Sequence, residues 1–277
     1  MNLKSLVNDN RLHVGFTLFL VWLLAIWHFW LDQNLMRIIF YPLLSIAIIA
    51  LFDFGLTYFR YRKNLGPHPA LRERTASFAY LPTAAVVSGF LIGLILAPSE
   101  PFYVIVAASI LTSLSKQFIA VGIRRHIFNP AAFGIMGVSL IFGTTVAWWG
   151  VSWGWYPLVI FVPLMMRILW RLHRLYLPLG FLLVYFIYLI LTSSVDLALR
   201  TLVDSTVLLF ALVMLPEPIT SPAAGYFKYL FGASVAFVVI FVTTFTKISE
   251  AFLPALLLAN LVSFSIVRVM ARAKKVQ

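Results

Sequence analysis

The sequence predicts an all-α, polytopic membrane protein: about ten transmembrane helices in two inverted five-helix repeats, with broken helices. Three observations predict it. The 277 residues are 62% hydrophobic and only 11% charged, against about a quarter charged in a soluble domain, and the mean hydropathy is +0.98. The apolar residues fall in long runs separated by short polar turns, with no long polar segment to make a soluble domain. The basic residues cluster in alternate turns, as topology demands. The chain reads as one integral membrane domain, 1–277, with a first repeat over 1–146 and a second over 147–277.

The spans follow in order. The first covers about Leu12–Leu31 and the second about Leu35–Phe59, followed by a basic loop from Arg60 to Arg74. The third, about Ser77–Ala97, ends at Pro98-Ser99-Glu100-Pro101, and the fourth covers about Phe102–Ile123. The fifth runs from Pro130 to about Val146. A Trp-rich, Gly-rich stretch over 148–155 then reads as an interfacial aromatic belt or a surface helix. The sixth is about Pro157–Trp170 and the seventh about Leu175–Thr192; an acidic loop with Asp196 and Asp204 follows. The eighth, about Ser205–Leu215, is short for a bilayer of roughly 30 Å. The ninth and tenth are about Phe227–Thr246 and Phe252–Met270. The polar, weakly basic start at Met1–Asn10 makes a poor signal peptide, so the first run reads as a retained span.

The charges test this order. With the N-terminus inside, the turns after spans two, four and six and the C-terminal tail must be basic, and they are. Turns on the other side hold few Lys or Arg. The net charge of +12 is therefore topological rather than a nucleic-acid face. The absence of cysteine excludes disulfides, thiolate metal sites and protein-ligated iron–sulfur clusters within the chain. The five histidines sit mostly at loop or end positions, unsuited to haem ligation.

Two polar breaks organise the rest. One is Arg124-Arg125-His126-Ile127-Phe128-Asn129-Pro130-Ala131; the other is Leu215-Pro216-Glu217-Pro218-Ile219-Thr220-Ser221-Pro222. Helix-breaking polar sequence at membrane spans is costly unless it lines a site. A helix end followed by a Pro/Glu break occurs at Pro98 and again at Pro216, and Phe128-Asn129-Pro130-Ala131 resembles Phe252-Leu253-Pro254-Ala255. The repeated order points to five-helix halves, and an odd helix number inverts the second half.

Three stretches resemble a known family. They are Thr83-Ala84-Ala85-Val86-Val87-Ser88-Gly89-Phe90-Leu91 with Pro98, Ser115-Lys116-Gln117-Phe118 leading to Arg125-His126-Ile127-Phe128-Asn129-Pro130-Ala131, and Glu217-Pro218-Ile219-Thr220-Ser221-Pro222. They are similar to the family's "TGLLLAL…P", "KHIFNPA" and "DPVTSP". This is the NqrB/RnfD family, whose members are integral membrane components of the Rnf electron transport complex and of the sodium-translocating NADH:quinone oxidoreductase. The resemblance implies a flavin-binding membrane component of an ion-translocating redox complex, carrying electrons across the cell (inner) membrane. Both termini would be cytoplasmic, with further membrane and cytosolic subunits as partners. It implies a non-covalent flavin, riboflavin or FMN, near Thr83, Ser88, Lys116, Arg125, His126, Asn129, Pro130, Glu217, Thr220 and Ser221. The family's "SGAT" attachment motif for covalent FMN is absent; its nearest counterpart, Gly143-Thr144-Thr145, makes Thr145 the only covalent candidate. The chain reads as a reduced member.

Several of these residues carry two readings. Arg125 and His126 fit a flavin phosphate, or anchor the fourth span. Asn129-Pro130 is an N-cap with Pro at N1, and its free N–H groups suit a polar ligand. Glu217, Thr220 and Ser221 contact a flavin ring or cation, or form a solvated loop. Lys116 snorkels, or faces a reduced flavin. Asp53 sits inside the second span, seven residues before Arg60, as an ion-path group or half of a structural pair. The alternative function is a cation- or proton-coupled transporter or channel using Asp53 and Glu217.

Overall fold

A computed structural model describes residues 9–62, 82–120, 126–222, 227–246, 248 and 250–273. Among them are eleven α-helices: α1 (Asn10–His28), α2 (Leu35–Arg62), α3 (Thr83–Ile95), α4 (Phe102–Phe118), α5 (Pro130–Phe142), α6 (Tyr156–Arg171), α7 (Tyr176–Thr192), α8 (Val195–Leu202), α9 (Ser205–Leu209), α10 (Phe227–Phe245) and α11 (Phe252–Ala273). A π-helical segment, Phe210–Met214, continues α9. Among the described residues, β structure is limited to two isolated antiparallel bridges, Leu96–Val146 and Ala120–His126.

Local sequence sets the helix ends. The Asp9 side chain accepts the Arg11 N–H and opens α1. Pro101 holds an extended backbone ahead of α4. Asn129 caps α5, Pro130 takes its first position, and Gly143, at φ 67, closes it in the left-handed region that glycine tolerates.

Among the described residues, three helical stretches, Asn10–His28, Leu35–Leu56 and Lys228–Phe245, are long and apolar enough to cross a bilayer. A bent pair, Val195–Leu202 and Ser205–Met214, passes the same test as one unit broken at 46°. Large apolar side chains face outward around the bundle, including Leu51, Leu140, Leu191 and Phe237. So wide an apolar surface is out of place in water. It is the surface expected of a helical membrane protein.

Helix α2 packs on α3 and α4, α4 on α5, and α1 on α3. Helix α7 packs on α10, α10 on α11, and α6 and α7 on the π segment. Between these groups, α1 meets α6 and α5 meets α11. Tyr41, Phe161, Phe181 and Phe210 are among the largest fully buried side chains.

Two expectations are corrected. The acidic loop contains a helix, α8, capped by the Ser194 side chain and carrying an exposed Arg200–Asp196 pair at 2.8 Å. Its amphipathic pattern is too short to outweigh its charges in a hydropathy reading. Trp148 and Trp149 are buried, because the 145–150 backbone pairs with the end of α3 through Ala147 N to Ile95 O and Gly150 N to Leu94 O, both 2.9 Å. Helices α3 and α5 have 13 residues each, about 20 Å at 1.5 Å per residue. Hydropathy carries the fifth span to about Val146, yet the helix stops at Phe142.

Helix α3 lies close to α2 through Gly93. A Cβ there would sit 2.5 Å from the Pro42 nitrogen and 2.6 Å from its Cα. Gly93→Val therefore forces the two helices apart, at a cost of about 1–3 kcal/mol. A lower thermal midpoint in detergent is the expected reading, and an unchanged midpoint refutes the close approach.

Candidate functional site

The two breaks found in the sequence meet inside the bundle. Asn129 lies beside Asn260, which is about two turns into α11, roughly 12 Å from its start. Asn260 Oδ1 accepts the Asn129 N–H at 3.0 Å, and Asn260 Nδ2 donates to Thr220 O at 3.3 Å. Asn129 Nδ2 donates to Met214 O at 3.3 Å, while its Oδ1 accepts Ala132 N–H at 3.0 Å. Two amide side chains thus tie the start of α5, the end of the π segment, the second break and α11 together. All four partners are main-chain groups that apolar surroundings would leave costly.

Beside this junction opens a cavity with about 800 Å³ of empty space, its mouth included. Val14, Val87, Leu91, Met165, Leu169 and Val213 form its apolar wall. Arg11, Ser88, Lys116, His126, Asn129 and Glu217 supply polar groups.

The structure brings six of the sequence candidates to this cavity: Ser88, Lys116, His126, Asn129, Pro130 and Glu217. Thr220 stands behind, its hydroxyl donating to Glu217 Oε2 at 3.3 Å. Ser221 lies deeper, donating to Glu217 O at 2.6 Å. His126 Nε2 is 3.8 Å from Glu217 Oε1. The 120–126 bridge and an Ile127 N–H bond to Ile119 O, 3.1 Å, hold that segment against the end of α4. Thr83 is outside the cavity wall and donates to Asp9 Oδ2 at 3.4 Å. Thr145 is at the opposite end of the bundle, exposed, its N–H on Glu100 Oε1 at 2.8 Å. Arg125 falls outside the described residues.

Lys116 does not snorkel. Its Nζ is 3.4 Å from Asp53 Oδ2, and the two side chains are only 8% and 10% exposed. Low dielectric makes the separated charges costly, so the pair holds α4 to α2. The same interface carries a Ser45–Ser109 hydrogen bond at 2.8 Å and Ser113 Oγ donating to Ile49 O at 3.4 Å.

Three contributors escape a sequence reading: Arg11, Asn260 and Arg174. Asn260 has a signal, a lone amide within the apolar run Leu253–Leu261. The other two look like ordinary topology charges. Arg174 is 7% exposed, and burial pulls its pKa down. At the opposite end, Glu250 caps α11 through the Phe252 and Leu253 N–H groups and accepts the Trp148 indole N–H at 2.7 Å. Burial raises the pKa of its carboxyl, against those three hydrogen bonds. Among the described residues, no group of three His, Asp or Glu side chains is placed to hold a metal ion. Compared with known proteins, the chain matches no family model, and no curated protein matches it either.

Two outcomes follow from these charges. Lys116→Met leaves Asp53 without its ammonium and lowers unfolding stability in detergent by about 3–5 kcal/mol; Asp53→Leu in the same chain recovers most of that loss. A non-additive double-mutant cycle is the check. Glu250 has a folded pKa above its ordinary 4.5. Its contribution to stability is therefore complete below the ordinary value and is lost as pH rises through the raised one. Melting curves across pH should show that decline in the wild type and a flatter profile in Glu250→Gln.

Proposed function

We propose that this chain is the flavin-carrying membrane component of an ion-translocating redox complex, a reduced relative of the NqrB/RnfD proteins it resembles. One observation carries the reading: both helix breaks named by the resemblance converge on a single cavity, lined by a set of apolar side chains and a set of polar ones. A flat, three-ring heterocycle suits that division. Val87, Leu91 and Met165 would give the ring system apolar contact, and Asn129, His126 and Glu217 would supply its polar contacts. When bound, the flavin supplies the redox chemistry; the chain supplies depth, polar contacts and exclusion of water. The pocket would take riboflavin or FMN without a covalent bond.

The ten-span, inverted-repeat architecture belongs to the same proposal. Its support is the packing order. Contacts of α1 with α3, α2 with α3 and α4, and α4 with α5 recur as α6 with α9, α7 with the π segment and α10, and α10 with α11. The contacts between halves join equivalent helices, α1 to α6 and α5 to α11. In this reading α8 lies outside the ten. Both termini face the cytoplasm across the cell (inner) membrane, and partner proteins deliver and remove electrons.

A second reading has its own observation. Lys116, the cavity-lining member of the Lys116–Asp53 pair, brings that pair next to the cavity, as a proton- or cation-coupled transporter would require. Redox-independent ion flux in liposomes, abolished by Asp53→Asn, would favour that reading.

Intact purified protein is expected to be yellow and to release riboflavin or FMN on denaturation, with an unmodified polypeptide mass. Asn129→Ala and Glu217→Gln should each weaken flavin binding about tenfold, ~1.4 kcal/mol. Colourless protein that binds neither flavin on titration removes the proposal.

A further inference from the structure

Arg174 lies in the turn between α6 and α7. His173 before it has φ 53, a left-handed conformation that costs a non-glycine residue about 1 kcal/mol or more. The reversal closes α6, with Arg174 N donating to Leu169 O at 2.9 Å. The Arg174 side chain turns inward. Its guanidinium donates to Pro216 O at 3.5 Å, Pro218 O at 3.4 Å and Ser221 Oγ at 2.6 Å. Ser221 Oγ in turn donates to Glu217 O at 2.6 Å. Three successive carbonyls, Pro216, Glu217 and Pro218, are thus tied to one guanidinium, two directly and one through Ser221. Among the described residues, no carboxylate lies within ion-pair distance of Arg174. Its charge meets carbonyl dipoles at a helix C-terminus, where a cation is favoured.

The opposite end repeats the device. Arg37, in the first turn of α2, donates to Pro98 O at 3.2 Å and Ser99 O at 2.7 Å, in the break after α3. Each arginine sits at the start of a helix that packs on the broken one, and each gathers the carbonyls beyond the break. Of the two breaks, the one held by Arg174 lines the cavity, through Pro216, Glu217 and Pro218.

We propose that Arg174 is a positioning residue for the cavity: with Ser221 it clamps the Pro216–Pro218 break and so holds the Glu217 carboxylate at the cavity wall beside His126. Its effect on ligand rests on the flavin reading above; the clamp itself does not. Nothing in the resemblance assigns Arg174 a role. A lysine keeps the charge but cannot reach three oxygens with one planar fork.

Hydrogen exchange on the purified full chain tests the clamp without any ligand. Arg174→Met should speed amide exchange over 215–221 about tenfold or more while leaving 96–101 unchanged, and Arg37→Met should do the reverse. Ser221→Ala, a milder change, should speed the same 215–221 segment by a smaller factor. Riboflavin titration then reads the positioning role. Arg174→Met weakens binding about tenfold, Arg174→Lys restores part of it, and Arg37→Met leaves it unchanged. Unaltered exchange over 215–221 in Arg174→Met, or an equal global rise in both arginine variants, overturns the clamp. Faster exchange with unchanged riboflavin affinity overturns the positioning role. Wild-type protein that binds no riboflavin refutes the flavin reading, and the exchange pattern still decides the clamp.

Discussion

The pair of amide side chains, Asn129 and Asn260, is the constraint on which the interior depends. A helix that stops inside a bundle leaves main-chain groups without partners, and in apolar surroundings each costs several kcal/mol. Here the start of α5 and the end of the π segment stop near one another. Asn129 serves both, accepting from Ala132 N and donating to Met214 O, while Asn260 accepts the Asn129 N–H and donates to Thr220 O. Because these groups are satisfied, two helix ends can face each other across a gap. The cavity lies beside that gap.

The opposite end solves the same problem differently. The end of α3 bonds to the 145–150 backbone, and Trp149 donates to Gly93 O at 2.9 Å. Trp148 links Ile95 O, through its N–H, to the Glu250 carboxylate that caps α11. Its φ of 50 is unusual for a large residue, and the bonds on both its backbone and its indole hold it there. An indole buried to 4% exposure fills this corner. At the first end, small amide side chains leave the corner open. The chain thus satisfies both sets of helix ends, and the cavity opens beside the first.

Charge inside the bundle follows the same logic of local compensation. Lys116 has Asp53, Glu217 has Thr220 and His126, and Arg174 has three neutral oxygens. The first is a structural tie between α2 and α4, and its Lys116 also lines the cavity. The last shows a cation held by helix-end carbonyls and one hydroxyl, which a search for ion pairs overlooks.

Sequence alone determined the helical class, the order of apolar segments and both polar breaks, because hydropathy, proline and capping residues act over a few neighbouring positions. Asn129-Pro130 reads as a helix start in any context, and Pro216-Glu217-Pro218 as an interruption. Tertiary structure decided what those local features meet. Asn260 is more than a hundred residues from Asn129, and no local rule pairs them. Lys116 reads as a snorkelling side chain until the fold places Asp53 against it. Arg174 carries the same signal as any topology charge, since its three oxygens lie more than forty residues away in the chain. Trp148 and Trp149 match an interfacial belt by composition, and only their pairing with the end of α3 buries them. Polar side chains inside an apolar bundle take their roles from distant partners, and that distance is what a sequence read in short windows does not contain.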